Sequence, residues 1–297
     1  MPTSYTPLRY PGGKSRLANF IKLIIRTNRL GDVHYVEPYA GGGGLALSLL
    51  FHGYARAIYL NDINKAIYAF WFSAKNHSDD LCKRIDQVKV TMKEWEKQQQ
   101  VFRNAGSHTL QDLGFAALFL NRTNRSGILS GGVIGGKGQT GKWKIDARFN
   151  KATLKEKIRT IARYKQRIHL YNLDAFEFIK DVIPSIRKNG LVYLDPPYFV
   201  KGQDLYENFY NAEDHVTLAT LVREHISHPW VISYDNAPTI RKLYSGFHRI
   251  TYGIPYCAGE HYEGSELMCF SPGLRVPRLK NPLLVSREAI SSFPIPS

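Results

Sequence analysis

Leu191-Val192-Tyr193-Leu194-Asp195-Pro196-Pro197-Tyr198 is the stretch on which the reading of this chain turns. Four apolar residues run into a carboxylate, two prolines and an aromatic ring. A short apolar run bounded by Gly190 and by prolines predicts a buried parallel strand. Proline donates no backbone hydrogen bond, so the strand stops there. Asp195 therefore stands at the carboxyl end of a strand, where open α/β sheets bind ligands. Pro196 has a fixed φ and a carbonyl with no competing strand partner, and Tyr198 offers a flat face just beyond. Two acceptors beside a stacking surface suit a planar base with an exocyclic amino group. The plainer reading is a turn that only closes a strand, and the Asp-Pro-Pro-Tyr combination argues against it.

Two more stretches have the same form. His34-Tyr35-Val36-Glu37-Pro38-Tyr39-Ala40-Gly41-Gly42-Gly43-Gly44 predicts a short strand ending in an acid, then a glycine turn, then the apolar helix Leu45 to Leu50. Strand, glycine turn, helix opens a nucleotide-binding α/β fold. Ile58-Tyr59-Leu60-Asn61-Asp62 predicts a second strand. Its terminal carboxylate follows the glycines by about 20 residues, the spacing that meets ribose hydroxyls. NAD and S-adenosylmethionine both carry that ribose. Glu37 beside the glycines would oppose a pyrophosphate, which favours the cofactor without phosphate. Asp62 is also spaced to cap the helix from Ile63 onward. Ile168-His169-Leu170-Tyr171 predicts a third strand. After it, Asp174 is placed to accept from an adenine amino group, with Phe176 against the ring, or to cap a helix.

Tyr10-Pro11-Gly12-Gly13-Lys14-Ser15 invites a phosphate-loop reading, but Leu8 stands where that motif needs its first glycine and no apolar strand precedes it. The expectation is a glycine turn that lets backbone approach a ligand and points Lys14 at a carboxylate or phosphate. A helix follows from Leu17 to Arg29.

The 297 residues suffice for one large α/β domain with an insertion, and the net charge of +15 calls for a polyanionic partner. No apolar run reaches membrane-spanning length and no signal peptide is present, which fits a cytoplasmic protein. Cys82, Cys257 and Cys269 form no metal-ligand or disulfide pattern, so no metal is expected. Most of the excess charge sits in one place. Between Asn121 and Arg167 there are thirteen basic residues and two acidic ones, and Asn121-Arg122-Thr123-Asn124-Arg125-Ser126-Gly127 begins a Gly-rich, basic stretch that runs past Lys144. Charge this concentrated is a footprint for phosphates. Residues 78–123 read as helical before it. After Tyr198 come a polar, aromatic loop with Phe199, Gln203, Tyr206, Phe209 and Tyr210, a helix at about 212–227, and strands at Trp230 to Tyr234, His248 to Ile254 and Glu266 to Phe270. The tail from Pro272 has no clear period and is expected to pack loosely over the core or partly fray.

These motifs together resemble the Dam-type, α-group adenine-N6 DNA methyltransferases over about Arg9 to Ser271. Pro-Gly-Gly-Lys at 11–14 resembles the family's first cofactor motif and Glu37 to Gly43 its glycine-rich motif. Asn61-Asp62-Ile63-Asn64 resembles the ribose-binding loop, Phe119-Leu120-Asn121-Arg122 with Gly127 the start of DNA contact, Asp195 to Tyr198 the catalytic motif, and Gly264-Ser265-Glu266-Leu267 the late strand motif. The polar Thr123-Asn124-Arg125-Ser126 departs from the bulky loop often found there, which bears on the recognition sequence.

The resemblance implies an α/β fold: a seven-stranded mixed sheet of the S-adenosylmethionine-dependent methyltransferase type, with helices on both faces. Residues 1–74 and 166–272 would form the catalytic domain, 75–165 a mainly helical DNA-recognition insertion, and 273–297 a tail. Asp195, Pro196, Pro197 and Tyr198 would be catalytic. Tyr10, Gly12, Gly13, Lys14, Glu37, Pro38, Ala40, Gly41, Gly42, Gly43, Asp62, Ile63, Asp174, Ala175, Phe176 and Asp195 would hold S-adenosylmethionine. Asn121, Arg122, Asn124, Arg125, Lys137, Lys142 and Lys144 would meet double-stranded DNA. A monomer or weak dimer is expected, with a cognate restriction endonuclease as a further partner. A cytosine-N4 methyltransferase, which more often has Ser at position 195, and a non-catalytic cofactor- and DNA-binding module are the rival readings.

Overall fold

The computed structural model describes residues 4–10, 12–186, 189–199, 210–255 and 263–292. Pro11, Gln203, Tyr206, Phe209 and Cys257 therefore lie outside the described residues.

Seven strands form one sheet: β1 His34–Glu37, β2 Ala57–Asn61, β3 Ile168–Tyr171, β4 Gly190–Leu194, β5 Trp230–Asp235, β6 His248–Pro255 and β7 Glu263–Phe270, in the order β3-β2-β1-β4-β5-β7-β6. The first five pair parallel, and β7 runs antiparallel to β5 and β6. This is the mixed α/β sheet expected. Alternation explains why the parallel strands read as continuous apolar runs. Tyr35, Leu191 and Tyr193 enter one buried cluster, and Val36, Val192 and Leu194 enter the other. A sheet covered on both faces needs apolar residues in both registers.

The first cluster holds helices α1 Ala18–Thr27, α2 Gly44–Phe51, α3 Lys65–Asn76, α4 Ser78–Gln87, α5 Met92–Arg103, α6 Leu110–Thr123 and α7 Lys151–Arg163. The second lies under the helix Ala212–His225 and the helical segment around Phe178. The sequence reading missed α7 within the basic stretch. Its Leu154, Ile158 and Ile161 are buried at helical spacing, and Asn150 caps it by accepting from Thr153 N at 3.0 Å. The apolar core runs unbroken from α1–α3 into α4–α7, so residues 75–165 fold against the sheet-bearing part rather than apart from it.

The tail packs over the core as expected, but it is more firmly held than expected. Val285 and Ile290 are buried, and Asn19 Nδ2 donates to the Val285 carbonyl at 2.9 Å. Asn28 and Arg275 exchange two hydrogen bonds, each 2.8 Å. Residues 274–290 are thus strapped over α1 by side-chain amides, which leave no periodic signal.

Candidate active site

The chain runs from β1 outward to β2 and β3, then returns to β4 on the other side of β1. That reversal opens a crevice between β1 and β4 at their carboxyl ends. Glu37 ends β1 and Asp195 follows β4. A cavity of about 390 Å³ lies there. Of the expected cofactor residues, Tyr10, Gly13, Pro38, Ala40, Gly42, Gly43, Asp62, Ile63, Asp174, Ala175 and Asp195 line it, and so does Pro197. Gly12, Lys14, Glu37, Gly41, Phe176, Pro196 and Tyr198 are not among its lining residues.

The glycine turn is shaped by what presses on it. Gly41 and Gly43 have φ +47° and +55°, and a Cβ at either would lie 2.6 Å from the Tyr10 ring or the Trp71 ring respectively. Trp71 Nε1 donates to the Gly41 carbonyl at 3.0 Å. Asp62 Oδ2 accepts from Gly41 N at 2.8 Å and its Oδ1 from Asn64 N at 2.9 Å. Asp62 therefore ties the second strand end to the glycine turn. The cap of α3 is Asn64, which accepts from Ala66 N and Ile67 N; Asp62 does not cap it. Asp174 does cap, accepting from Phe176 N at 2.8 Å. Sequence reasoning gave Asn61 no role of its own. It is fully buried, donates to the Pro38 and Leu173 carbonyls at 3.1 Å, and accepts from Leu173 N at 3.0 Å, so it pins three strand ends together.

Glu37 departs from expectation. It is buried, accepts from Tyr35 OH at 3.0 Å, and has its carboxyl pushed up to about 8, mainly by burial. It is mostly neutral at pH 7, so it does little to repel a pyrophosphate, and that argument against NAD falls away.

Around Asp195 the structure gathers a polar network. Ser233 Oγ donates to Asp195 Oδ1 at 2.9 Å and Lys14 Nζ lies 3.3 Å from the same oxygen. Tyr193 OH meets Ser233 Oγ at 2.9 Å. Lys14 also reaches Glu266 Oε1 at 3.2 Å and donates to Tyr198 OH. Tyr198 OH donates to Glu266 Oε1, and Tyr252 OH donates to Glu266 Oε2 at 2.6 Å. Burial pushes the Asp195 carboxyl up to about 6, and Lys14 opposes that rise. Glu266 was not singled out as a site residue. A lone carboxylate in the apolar run Glu266-Leu267-Met268-Cys269-Phe270 was the available signal. Tyr198 corrects another expectation: it is 8% exposed and carries Lys14 Nζ over its ring at 4.9 Å, so it presents no open flat face.

Residues 10–253 match the family described as D12 class N6 adenine-specific DNA methyltransferase. The chain belongs to this family. It is also similar to the Type II methyltransferase M.MjaIII of Methanocaldococcus jannaschii, with 22% identity over 266 residues, covering 81% of this chain and 88% of that protein. The chain is thus an enzyme that methylates adenine N6 in DNA, and the cytosine-N4 and non-catalytic readings are set aside.

The methyltransferase's basic stretch is folded, and its residues divide. Asn121 is buried and staples Arg9 N at 2.7 Å and the carbonyls of Arg9 and Gly127. Asn124 is buried too. It accepts from Trp95 Nε1 at 2.7 Å and donates to the Ile128 and Leu129 carbonyls. Neither reaches the surface, so the expectation of DNA contact fails for both: their amides satisfy backbone that the glycine turns leave unpaired. Arg122 is half-buried, donates to the Arg148 and Pro7 carbonyls, and lines the cavity. Arg125, Lys137, Lys142 and Lys144 are exposed. Lys144 Nζ donates to the Gln139 carbonyl at 2.6 Å. Among the described residues, no group of three His, Cys, Asp or Glu is arranged to hold a metal, and no helix is long and apolar enough to cross a membrane.

Proposed function

We propose that this enzyme takes the methyl group from S-adenosylmethionine and that Asp195 and the Pro196 carbonyl prepare a flipped adenine of duplex DNA to receive it. The observation that carries this reading is Asp195 itself: a carboxylate in the cavity wall whose Oδ1 is taken up by Ser233 and Lys14. Among the described residues no side chain donates to Oδ2, which leaves that oxygen for an amino group.

The cofactor fits the residues present. The tight glycine turn lets backbone line the cavity without Cβ atoms, and Asp62 offers a carboxylate beside it. Ile63, an apolar side chain 49% exposed at the cavity, suits the edge of a flat ring. S-adenosylmethionine supplies an electrophilic sulfonium methyl.

The adenine N6 lone pair is delocalised into the ring and is a poor nucleophile. Hydrogen bonds from its two N–H groups to Asp195 Oδ2 and the Pro196 carbonyl localise it on nitrogen. A negative acceptor also stabilises the charge that develops there. With its carboxyl near 6, Asp195 is mostly ionised at neutral pH. Holding the nitrogen in line with the methyl supplies roughly 7–11 kcal/mol of the acceleration. Taking the base out of the duplex costs a few kcal/mol. The proton shed after transfer leaves to water.

Incorporation of labelled methyl into DNA by the parent and by Asp195→Ala tests the reading. The variant should lose about 10²–10³ in rate or more while melting like the parent. Turnover at the parent's rate would overturn the assignment. Sequencing of the methylated DNA would then give the target site.

A further inference from the structure

On the cavity wall beside α6 and α7, three cations converge. Arg9, Arg122 and Lys157 all line the cavity. Each is held in place by a backbone carbonyl. Arg9 Nη1 donates to Asn124 O at 3.3 Å, Arg122 Nε to Arg148 O at 2.7 Å, and Lys157 Nζ to Thr6 O at 3.1 Å. Among the described residues, none of the three forms an ion pair with a carboxylate within 4.0 Å; Lys157 senses only its exposed sequence neighbour Glu156. They repel one another instead. Arg122 is lowered to about 10 by burial first and then by Arg9 and Arg148, and Lys157 is lowered by burial and by Arg122.

Gathering like charges in a half-buried wall is unfavourable without a counter-charge. A guanidinium has five N–H donors and an ammonium three, so the carbonyl contacts fix these groups without using them up. Gly127 sharpens the placement. Its φ of +80° and the Arg9 carbonyl, 2.3 Å from where a Cβ would stand, bring the α6 turn against Arg9.

We propose that Arg9, Arg122 and Lys157 form an anion subsite in this cavity, taking a carboxylate or a phosphate. Two groups of the reaction carry that chemistry: the amino-acid carboxylate of the cofactor, and a phosphate of the DNA strand next to the flipped nucleotide. The subsite rests on the reading that this cavity serves methyl transfer.

The test is binding, not turnover. S-adenosylhomocysteine, 5′-methylthioadenosine, which lacks the amino-acid carboxylate, and a mixed-sequence duplex at two salt concentrations are titrated into the parent, Arg122→Gln and Lys157→Gln. If the cofactor's carboxylate occupies the subsite, S-adenosylhomocysteine weakens roughly ten- to a hundredfold in the variants while 5′-methylthioadenosine binds unchanged. If a DNA phosphate does, the nucleosides bind alike and the duplex weakens, with the salt slope reduced by about one per lost charge. Unchanged binding of all three ligands overturns the proposal, and so does equal weakening of the two nucleosides with no change on DNA, which marks a structural role. Failure of the cofactor reading shows separately, as absence of S-adenosylhomocysteine binding to the parent, and the duplex arm then decides the subsite.

Discussion

Lys14 Nζ lies 3.3 Å from Asp195 Oδ1, joining a glycine turn at the start of the chain to the end of β4. The Lys14 side chain is 9% exposed and that of Asp195 20% exposed, so solvent screens the pair little. Burial raises the Asp195 carboxyl and the Lys14 charge lowers it, with a net position of about 6. The acid limb of the methyl-transfer rate should therefore fall near pH 6 in the parent. Lys14→Met removes the lowering charge, so the limb should move to higher pH. Rates across pH 5 to 9 at saturating DNA check this. A limb that stays in place would show that Lys14 does not tune Asp195.

Glu37 gives a stability prediction. Its carboxyl is raised in the folded state from 4.5 to about 8. Between those values the folded chain binds the proton more tightly than the unfolded chain, so stability is lost as pH rises. Glu37→Gln keeps an acceptor for Tyr35 OH and has no charge to bury. Its melting temperature should exceed the parent's at pH 9 and approach it near pH 5, with a difference of about 1 kcal/mol or more at the alkaline end. Melts at both pH values decide it.

Asp62 combines a ligand role with a structural one. Asp62→Ala removes the carboxylate proposed for the ribose and also frees Gly41 N and Asn64 N. S-adenosylmethionine binding should weaken by roughly 1.5–3 kcal/mol. NAD should not bind. Calorimetry on parent and variant with both cofactors is the check; tight NAD binding would reassign the strand end.

The exposed basic residues separate by side-chain chemistry. Lys142 is a point charge suited to phosphate, so Lys142→Ala should weaken all duplexes alike and reduce the salt slope by about one. Arg125 has the planar fork that pairs with guanine, worth about 1–3 kcal/mol of discrimination. Arg125→Ala should therefore relax preference at one position of the target. Titrations on cognate and single-mismatch duplexes measure both effects. Parent-like behaviour of both variants would move recognition elsewhere.

What could be read from the amino-acid order was whatever depends on local pattern. Apolar runs ending in Glu37, Asp62 and Asp195 named three strands and three strand-end acids, because burial on both faces forces such runs and prolines or glycines end them. The glycine turn and the order of motifs carried the family. Only the tertiary structure decided which polar side chains face a ligand and which hold the frame. Asn121 and Asn124 stand in a basic, Gly-rich run that reads as surface, yet both are buried on backbone amides and carbonyls. Glu266 joins the polar network around Asp195 through Lys14 and Tyr198, both distant in the chain, and through Tyr252, its partner on β6. Arg9, Arg122 and Lys157 belong to three separate segments that meet at one cavity wall. A hydrogen bond or a charge acts over a few ångströms of space, and spacing along the chain records such proximity only within one helix, strand or turn.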